Sequence, residues 1–211
     1  KDTDTKEKAD KIIPQLYNSI AGSFLKKDEF DKALDFYNKA LAYDPVYDKA
    51  LLGLGLVYKE KENFTSMKEA FDKIIASESS DEKIVKKARI AATTTFINNG
   101  IKLIGDKNYD EALKSLASAL EYDDSNADIF YYRATVLNKQ SKFEEALSAG
   151  EKALELEEGQ EIAKAKIYVE IGNAYMGLNK NSEACEAFKN ALFGPNKEYA
   201  EYQMKEVLKC N

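Results

Sequence analysis

Apolar and polar positions alternate along the chain in a phrase that recurs. Three segments place an aromatic residue, two charged residues, alanine and leucine in that order: 30–34, 109–113 and 143–147. Apolar or small residues continue each phrase at intervals of three and four, which is the spacing of one face of an α-helix. Degenerate copies begin at Phe64 and Asn181. The pattern predicts five amphipathic helices.

A further helix is predicted upstream of each phrase. Each of these upstream segments has a small residue at a fixed point: Ala21, Gly55, Gly100, Ala134 and Gly172. A larger residue follows three places later: Phe24, Tyr58, Leu103, Leu137 and Tyr175. Because small residues let two helices approach closely, the pattern predicts five pairs of packed helices.

This pattern resembles the tetratricopeptide repeat, in which a helix pair recurs with a period of about 34 residues. Repeats are placed to start near Pro14, Asp48, Thr93, Ala127 and Ala165, with spacings of 34, 45, 34 and 38 residues. The resemblance implies an all-α fold, a right-handed α-α superhelix of about five helix pairs. We expect one solenoid domain over residues 1–211, closed by a capping helix over 197–209 that covers the apolar end.

The two irregular spacings indicate insertions. The 11 extra residues of the third repeat lie around 81–92. Ser79 and Glu82 have the spacing of a capping box, so the first helix of this repeat is expected to start near Asp81 and gain about three turns. The four extra residues of the fifth repeat fall near 156–160, where they are expected to lengthen a turn, with Gly159 ending the helix.

The charge pattern argues against nucleic acid as a partner. The formal net charge is −6, and lysines are interleaved with Glu and Asp, as on a solvated helix face. Phosphate binding requires clustered Lys and Arg instead. No apolar run approaches the ~18 residues of a membrane span. The cytoplasm and a bacterial periplasm or envelope both remain open as compartments.

Candidate chemistry is sparse. The chain contains no His, which removes histidine-based catalysis and histidine metal sites. The Gly53-Leu54-Gly55 segment lacks a third glycine and is interpreted as close helix packing. The acidic run 123–128 lacks the glycine and distal glutamate of a calcium loop, so helix capping is preferred. No catalytic, cofactor-binding or metal residue is predicted, and the chain is not expected to be an enzyme.

Cys185 and Cys210 are the two cysteines. Cys185 lies in the second helix of the last repeat, and Cys210 ends the predicted capping helix. If these helices pack antiparallel, a disulfide is possible, which would imply an oxidising compartment. The alternative is a buried thiol at Cys185 and a free thiol at the frayed end of the chain. The sequence leaves both open.

The resemblance implies that the first helix of each pair lines a concave binding groove. The predicted groove residues are Asn18, Lys49, Leu52, Leu56, Lys59, Ile97, Ile101, Tyr131, Thr135, Asn138, Lys166, Val169 and Asn173. The apolar middle of this set suits an amphipathic helix or an extended segment. Packing between repeats would explain the same side chains. Family members that hold the carboxylates of chaperones resemble one another in having two polar residues four positions apart in their first helix. The matching positions here are Asn18 and Gly22, so this type of site is not expected.

These observations predict a scaffold or adaptor that binds a protein or peptide in the groove. The alternative is a structural or assembly component of a bacterial cell envelope. The identity of the partner and the oligomeric state are not fixed by the sequence.

Overall fold

The computed structural model describes residues 2–159 and 161–210, with side chains from residue 9 onward. These ranges contain helices and turns and no strand. The chain forms two compact units, Lys1–Thr95 and Phe96–Asn211. The all-α fold with five helix pairs and a C-terminal helix agrees with the sequence prediction. A single continuous solenoid over all 211 residues stays a prediction.

The first unit is built from helices that pair along the chain. Its helices are α1 Asp2–Leu25, α2 Phe30–Tyr43, α3 Asp48–Glu60 and α4 Phe64–Ala76. The boundary between the units falls within α5, Glu82–Gly105. Aromatic and alanine side chains of α1, α2 and α3 form one core cluster around the buried Ala21, Ala33 and Tyr37.

The second unit continues the pairing. Its helices are α6 Tyr109–Leu120, α7 Ala127–Lys139, α8 Phe143–Leu156, α9 Glu161–Gly177, α10 Asn181–Asn190 and α11 Lys197–Tyr202. A 3-10 turn, Gly194–Asn196, precedes α11, and a π-helical turn, Gln203–Val207, follows it. None of the helices in the described ranges is both long and apolar enough to cross a bilayer.

A left-handed residue ends the first helix of every pair. Five residues other than glycine have φ between 53° and 61° in these turns: Asp28, Glu62, Lys107, Ser141 and Asn179. In each case the next backbone N–H donates to the carbonyl five residues back, as Glu29 does to Phe24 at 3.0 Å. This is the hydrogen bond of a Schellman C-cap. The five positions repeat the spacings of the sequence phrase, so the same capped turn recurs in every pair.

Close approach within a pair depends on the small residue of the first helix and a large residue 16 positions later. A Cβ added to Gly172 would lie 2.7 Å from Cε1 of the fully buried Phe188, and one added to Gly55 would overlap the Phe71 ring. The interpretation of Gly53-Leu54-Gly55 as a packing segment is confirmed, since both glycines are buried against aromatic rings.

The predicted lengthening of the third repeat is confirmed, but its capping box is wrong. Helix α5 has 24 residues, against 13 in α3, and starts one residue after Asp81. Asp81 Oδ1 accepts the backbone N–H groups of Lys83 at 2.8 Å and Ile84 at 3.3 Å. The Ser79 hydroxyl instead contacts the Ser77 hydroxyl at 2.9 Å. Asp81 is the better cap because its carboxylate is charged and lies directly before the helix.

Asp81→Ala is therefore expected to lower the free energy of unfolding by about 1 kcal/mol, since it leaves two N–H groups of the first turn without this acceptor. Ser79→Ala is the matched control and should change the unfolding free energy by less than about 0.5 kcal/mol. Urea denaturation of both variants measures the difference. A larger loss for Ser79→Ala than for Asp81→Ala would contradict this assignment.

The expectation for the fifth repeat is also wrong. Helix α8 ends at Leu156, three residues before Gly159, and α9 begins at Glu161, four residues before the repeat start at Ala165. The four extra residues therefore lengthen α9 to 17 residues instead of lengthening a turn. Gly159 lies in the connection, where its N–H donates to Glu157 Oε1 at 2.7 Å.

The acidic run before α7 caps that helix, as the sequence suggested. Asn126 Oδ1 accepts the backbone N–H of Asp128 at 3.1 Å, and Asp123 Oδ1 accepts from the hydroxyl of Ser125 at 2.8 Å.

The C-terminal helix covers the apolar face of the last pair. Ala200 is buried together with Ala184, Phe188 and Ala191, and Met204 and Leu208 pack against this cluster. Cys185 of α10 and Cys210 form a disulfide, with Cα atoms 5.9 Å apart. Of the two alternatives left open by the sequence, the structure has the linked pair. The bond fixes the end of the C-terminal segment to the last repeat.

Candidate functional site

The predicted groove residues of the first unit lie on the first helices of its two pairs. Asn18 belongs to α1, and the other four belong to α3. Lys49 is exposed, whereas Asn18, Leu52, Leu56 and Lys59 are half-buried. Neither leucine belongs to the buried core of this unit. Both side chains thus retain surface that a partner can contact.

The second unit holds the remaining predicted residues. Ile97 and Ile101 lie on α5, where Ile97 is half-buried and Ile101 is 38% exposed. The other six lie on α7 and α9, and all are half-buried: Tyr131, Thr135, Asn138, Lys166, Val169 and Asn173. We call the surface formed by Tyr131, Thr135, Asn138, Lys166, Glu170 and Asn173 the α7–α9 face.

Glu170 joins the two helices of this face. Its Oε1 accepts from the Thr135 hydroxyl at 3.0 Å, and its Oε2 accepts from Asn138 Nδ2 at 2.8 Å. Asn138 Nδ2 also lies 2.9 Å from the Glu170 backbone carbonyl. Three hydrogen bonds therefore fix both side chains of α7 relative to α9. Asn138 Oδ1 is buried and has no hydrogen-bond partner among the described residues.

Lys166 orders the part of the α7–α9 face around Tyr131. Its ammonium group donates to Asp128 Oδ1 at 2.5 Å and lies 4.8 Å from the centroid of the Tyr131 ring. The Tyr131 ring also contacts Tyr132, with centroids 4.8 Å apart. A cation held over a tyrosine ring by a carboxylate restricts both side chains, so Tyr131 presents an ordered aromatic surface.

The C-terminal helix reaches this face through Tyr199. The Tyr199 hydroxyl donates to Asn173 Oδ1 at 2.8 Å. This hydrogen bond fixes the orientation of the Asn173 amide group. Like Tyr131, which packs against the neighbouring core cluster around Ile167, Val169 packs against a cluster, the one under the C-terminal helix. Part of its side chain is therefore used for packing.

A small pocket of about 220 Å³ opens in the α7–α9 face. Its lining consists of Thr135, Asn138, Lys139, Phe143, Glu170 and Asn173. These residues bring amide, hydroxyl, carboxylate and ammonium groups together with the Phe143 ring. Among the described residues no group of three or more His, Cys, Asp or Glu side chains is arranged to hold a metal ion.

The acidity of Tyr131 reports on this network. Burial, followed by the negative charges of Glu170 and of nearby groups, raises the pKa of Tyr131 from 10.0 to about 12. Burial and Glu170 also raise the pKa of Tyr199. Both effects have the same sign, because a buried site beside a carboxylate disfavours the phenolate.

Glu170→Gln is therefore expected to lower the pKa of Tyr131, and spectrophotometric titration with a Tyr131→Phe reference measures it. In the wild type the unfolded state loses the tyrosine proton first, so the stability contributed by this group is present below pH 10 and declines towards pH 12. An unchanged pKa of Tyr131 in Glu170→Gln would contradict the electrostatic effect of Glu170 on this tyrosine.

Sequence reasoning missed four residues of this site, among them Lys139, which lines the pocket. Glu170 lies one helical turn after Lys166, so the same helical spacing could have indicated it. Tyr199 belongs to the predicted capping helix, and no sequence signal places it on the first-helix surface. Phe143 opens a second helix, and its ring reaches the pocket because Gly177 lies against it.

Comparison with known proteins yields the same repeat over most of the chain. Tetratricopeptide repeat models match residues 14–47, 48–81 and 165–192 and, as a further model of this repeat, residues 100–161. A "Protein STIP1 homolog" of Dictyostelium discoideum is 30% identical over 115 residues, which is 52% of this chain and 20% of that protein. This chain thus spans a small part of that relative's length.

Two solved structures have the same fold. The crystal structure of MamA protein has a TM-score of 0.51 and 24% identity, with 92% of this chain and 96% of that chain covered. YrrB, described as a TPR protein with an unusual peptide-binding site, also has a TM-score of 0.51 and 24% identity, with 90% of each chain covered.

Proposed function

The chain belongs to the tetratricopeptide repeat family, and from this premise we propose that it is a scaffold that binds a protein segment on its α7–α9 face. The observation that carries the proposal is the network centred on Glu170, which holds Thr135 and Asn138 across the two helices at 2.8–3.0 Å. A surface held in this way loses little conformational freedom when a partner binds.

The chemistry of the face indicates an extended segment as the ligand. A side-chain amide offers the same donor and acceptor pair as a peptide group, and Asn173 and Asn138 both lie at the pocket. The ring of Tyr131 supplies a large ordered contact of the kind that dominates binding energy at interfaces. Asn138 Nδ2 donates to Glu170 and its Oδ1 is buried, so Asn173 is the asparagine that can reach a ligand. We therefore propose that the partner's backbone accepts from the Asn173 amide while one apolar side chain contacts Tyr131.

The apolar residues on α5 extend this proposal. Ile97 and Ile101 belong to the same set of first-helix positions, and Ile101 is exposed. An exposed apolar side chain of this size is a candidate anchor for a partner. Ile101→Glu should reduce binding of the partner segment and leave the helical circular dichroism spectrum unchanged.

A phage-displayed library of random linear peptides, selected on the immobilised wild-type chain, tests the proposal. Enriched peptides should bind the wild type and lose affinity for Tyr131→Ala and Asn173→Ala. Tyr202→Ala and Asn190→Ala serve as matched controls, because both residues are exposed and lie outside the α7–α9 face. Peptides that bind all four variants equally well would place the binding surface elsewhere.

A second candidate function is a structural or assembly component of a bacterial cell envelope. The observation in its favour is the Cys185–Cys210 disulfide, since such bonds persist in oxidising compartments such as the periplasm. Thiol titration of the denatured, unreduced protein from its native source distinguishes the two states. Two free thiols would argue for a reducing compartment and against this candidate.

A further inference from the structure

The second unit contains a second cleft, which lies between α8 and α10 and over α9. Its volume is about 300 Å³. The floor includes the side chains of Tyr168, Ile171 and Tyr175, and the rim carries Glu151, Glu183 and Glu186. We call this the α8–α10 cleft. No residue of the α7–α9 face lines it.

The three carboxylates of the cleft have no cationic partner. Among the described residues, none of Glu151, Glu183 and Glu186 forms an ion pair. Their charge reaches the floor: burial, then Glu151 and Glu183, raise the pKa of Tyr175. The Lys180 ammonium lies 6.0 Å from the centroid of the Tyr175 ring, and the rim also has its three carboxylates outside any ion pair among the described residues. Such an acidic rim around an apolar floor is complementary to a helix that carries lysines beside an apolar residue.

The chain itself carries such a helix. Lys83, Lys86, Lys87 and Ile90 lie on one face of α5, at intervals of three and four residues. The opposite face of this segment carries the buried Ile84 and Ala88. Ile90 is 55% exposed, and the three lysines form no ion pair within the described ranges. We call this surface the α5 basic stripe.

The α5 basic stripe lies in the insertion that lengthens the third repeat. The insertion is not required for the period of the repeat, since neighbouring first helices have 13 residues. The inserted segment buries one face and exposes three lysines around an isoleucine on another. This exposed surface thus has no role in packing inside its own repeat.

We propose that the α5 basic stripe of one molecule docks in the α8–α10 cleft of a second copy of this chain. The lysines lie against the three rim carboxylates, and Ile90 covers the tyrosine floor. Because the two surfaces differ, the contact is heterologous, and each bound molecule leaves one free stripe and one free cleft. Such contacts close into rings or extend into filaments. The chain therefore self-associates head to tail.

Sedimentation velocity over a series of protein concentrations tests this. The wild type should show a sedimentation coefficient that rises with concentration and falls back at high salt, because exposed charge pairs are screened. Glu183→Lys/Glu186→Lys and Lys83→Glu/Lys87→Glu should each weaken association by about tenfold or more. Ile90→Ser should weaken it without any change of charge. Circular dichroism establishes that each variant is folded.

Mixing gives the sharpest result. Each charge-reversed variant alone should associate at least about tenfold more weakly than the wild type, whereas an equimolar mixture of the two should associate more strongly than either, because each then meets a complementary surface. Asp124→Lys/Glu158→Lys is the matched control, with the same charge change at exposed positions outside the cleft, and it should associate like the wild type. A monomeric wild type at every concentration, unaffected association in the reversed variants, or a mixture that stays monomeric would each overturn the proposal.

Discussion

Replacing Phe188 with alanine is expected to lower the free energy of unfolding of the second unit by about 3–5 kcal/mol. Phe188 is fully buried among Ala184, Ala191 and Ala200, and its ring lies against Gly172 of α9. The substitution removes a large apolar side chain and leaves a cavity that alanine neighbours cannot fill. Urea denaturation followed by circular dichroism measures the loss.

Phe193→Ala is the matched control for this prediction. Phe193 is in the same region but is 42% exposed, so its truncation should change the unfolding free energy by less than about 1 kcal/mol. Gly172→Leu tests the same packing from the other side, because any Cβ at this position approaches the Phe188 ring. Equal losses for Phe188→Ala and Phe193→Ala would contradict the described core of the last repeat.

Loss of the Cys185–Cys210 disulfide is expected to destabilise the second unit by about 3 kcal/mol. The bond closes a loop with a sequence separation of 25 residues, which restricts the unfolded chain. It also fixes the C-terminal segment, in which Ala200 of α11 and Met204 of the following turn cover the last helix pair. Cys185→Ser/Cys210→Ser and reduction of the wild type should therefore lower the unfolding free energy by similar amounts.

The doubly substituted variant also provides the control for the reductant. Its unfolding midpoint should be the same with and without reductant, whereas that of the wild type should fall on reduction. A wild-type midpoint that does not respond to a reductant, under conditions where thiol titration shows complete reduction, would contradict a stabilising disulfide.

The repeat phase could be predicted from the sequence because its signal is local. The small residue of a first helix and the large residue 16 positions later lie in direct contact at Gly55–Phe71 and Gly172–Phe188. The left-handed turn residues recur with the same spacing as this phrase. The packing between adjacent helices thus determines the spacing of these residues along the chain.

The fourth repeat shows where this logic stops. Gly150 stands where other repeats have a large residue, and a Cβ there would lie 2.7 Å from Ile171 Cγ1 of α9. The isoleucine of the next repeat fills the space left by the glycine. No pattern within one repeat predicts such a substitution, because the partner belongs to another helix pair.

The candidate site was only partly predictable for a similar reason. The resemblance to the repeat family, which assigns the groove to the first helices, and counting from the repeat starts led to Tyr131, Thr135, Asn138, Lys166 and Asn173. The role of Glu170 depends on two hydrogen-bond partners 35 and 32 residues away, and that of Tyr199 on the packing of the C-terminal helix. The N-cap of α5 was not predictable from the sequence either. Both Ser79 and Asp81 suit an N-cap, and only the local backbone distinguishes them.

The measurement that tests the scaffold proposal most directly is the affinity of a library-selected linear peptide for the wild type and for Tyr131→Ala, by fluorescence polarisation. We expect about a 30-fold loss of affinity, as for a central aromatic residue of an interface, and no loss for Tyr202→Ala, whose side chain is 57% exposed outside the α7–α9 face. Equal affinities of wild type and Tyr131→Ala for every selected peptide would contradict binding on this face.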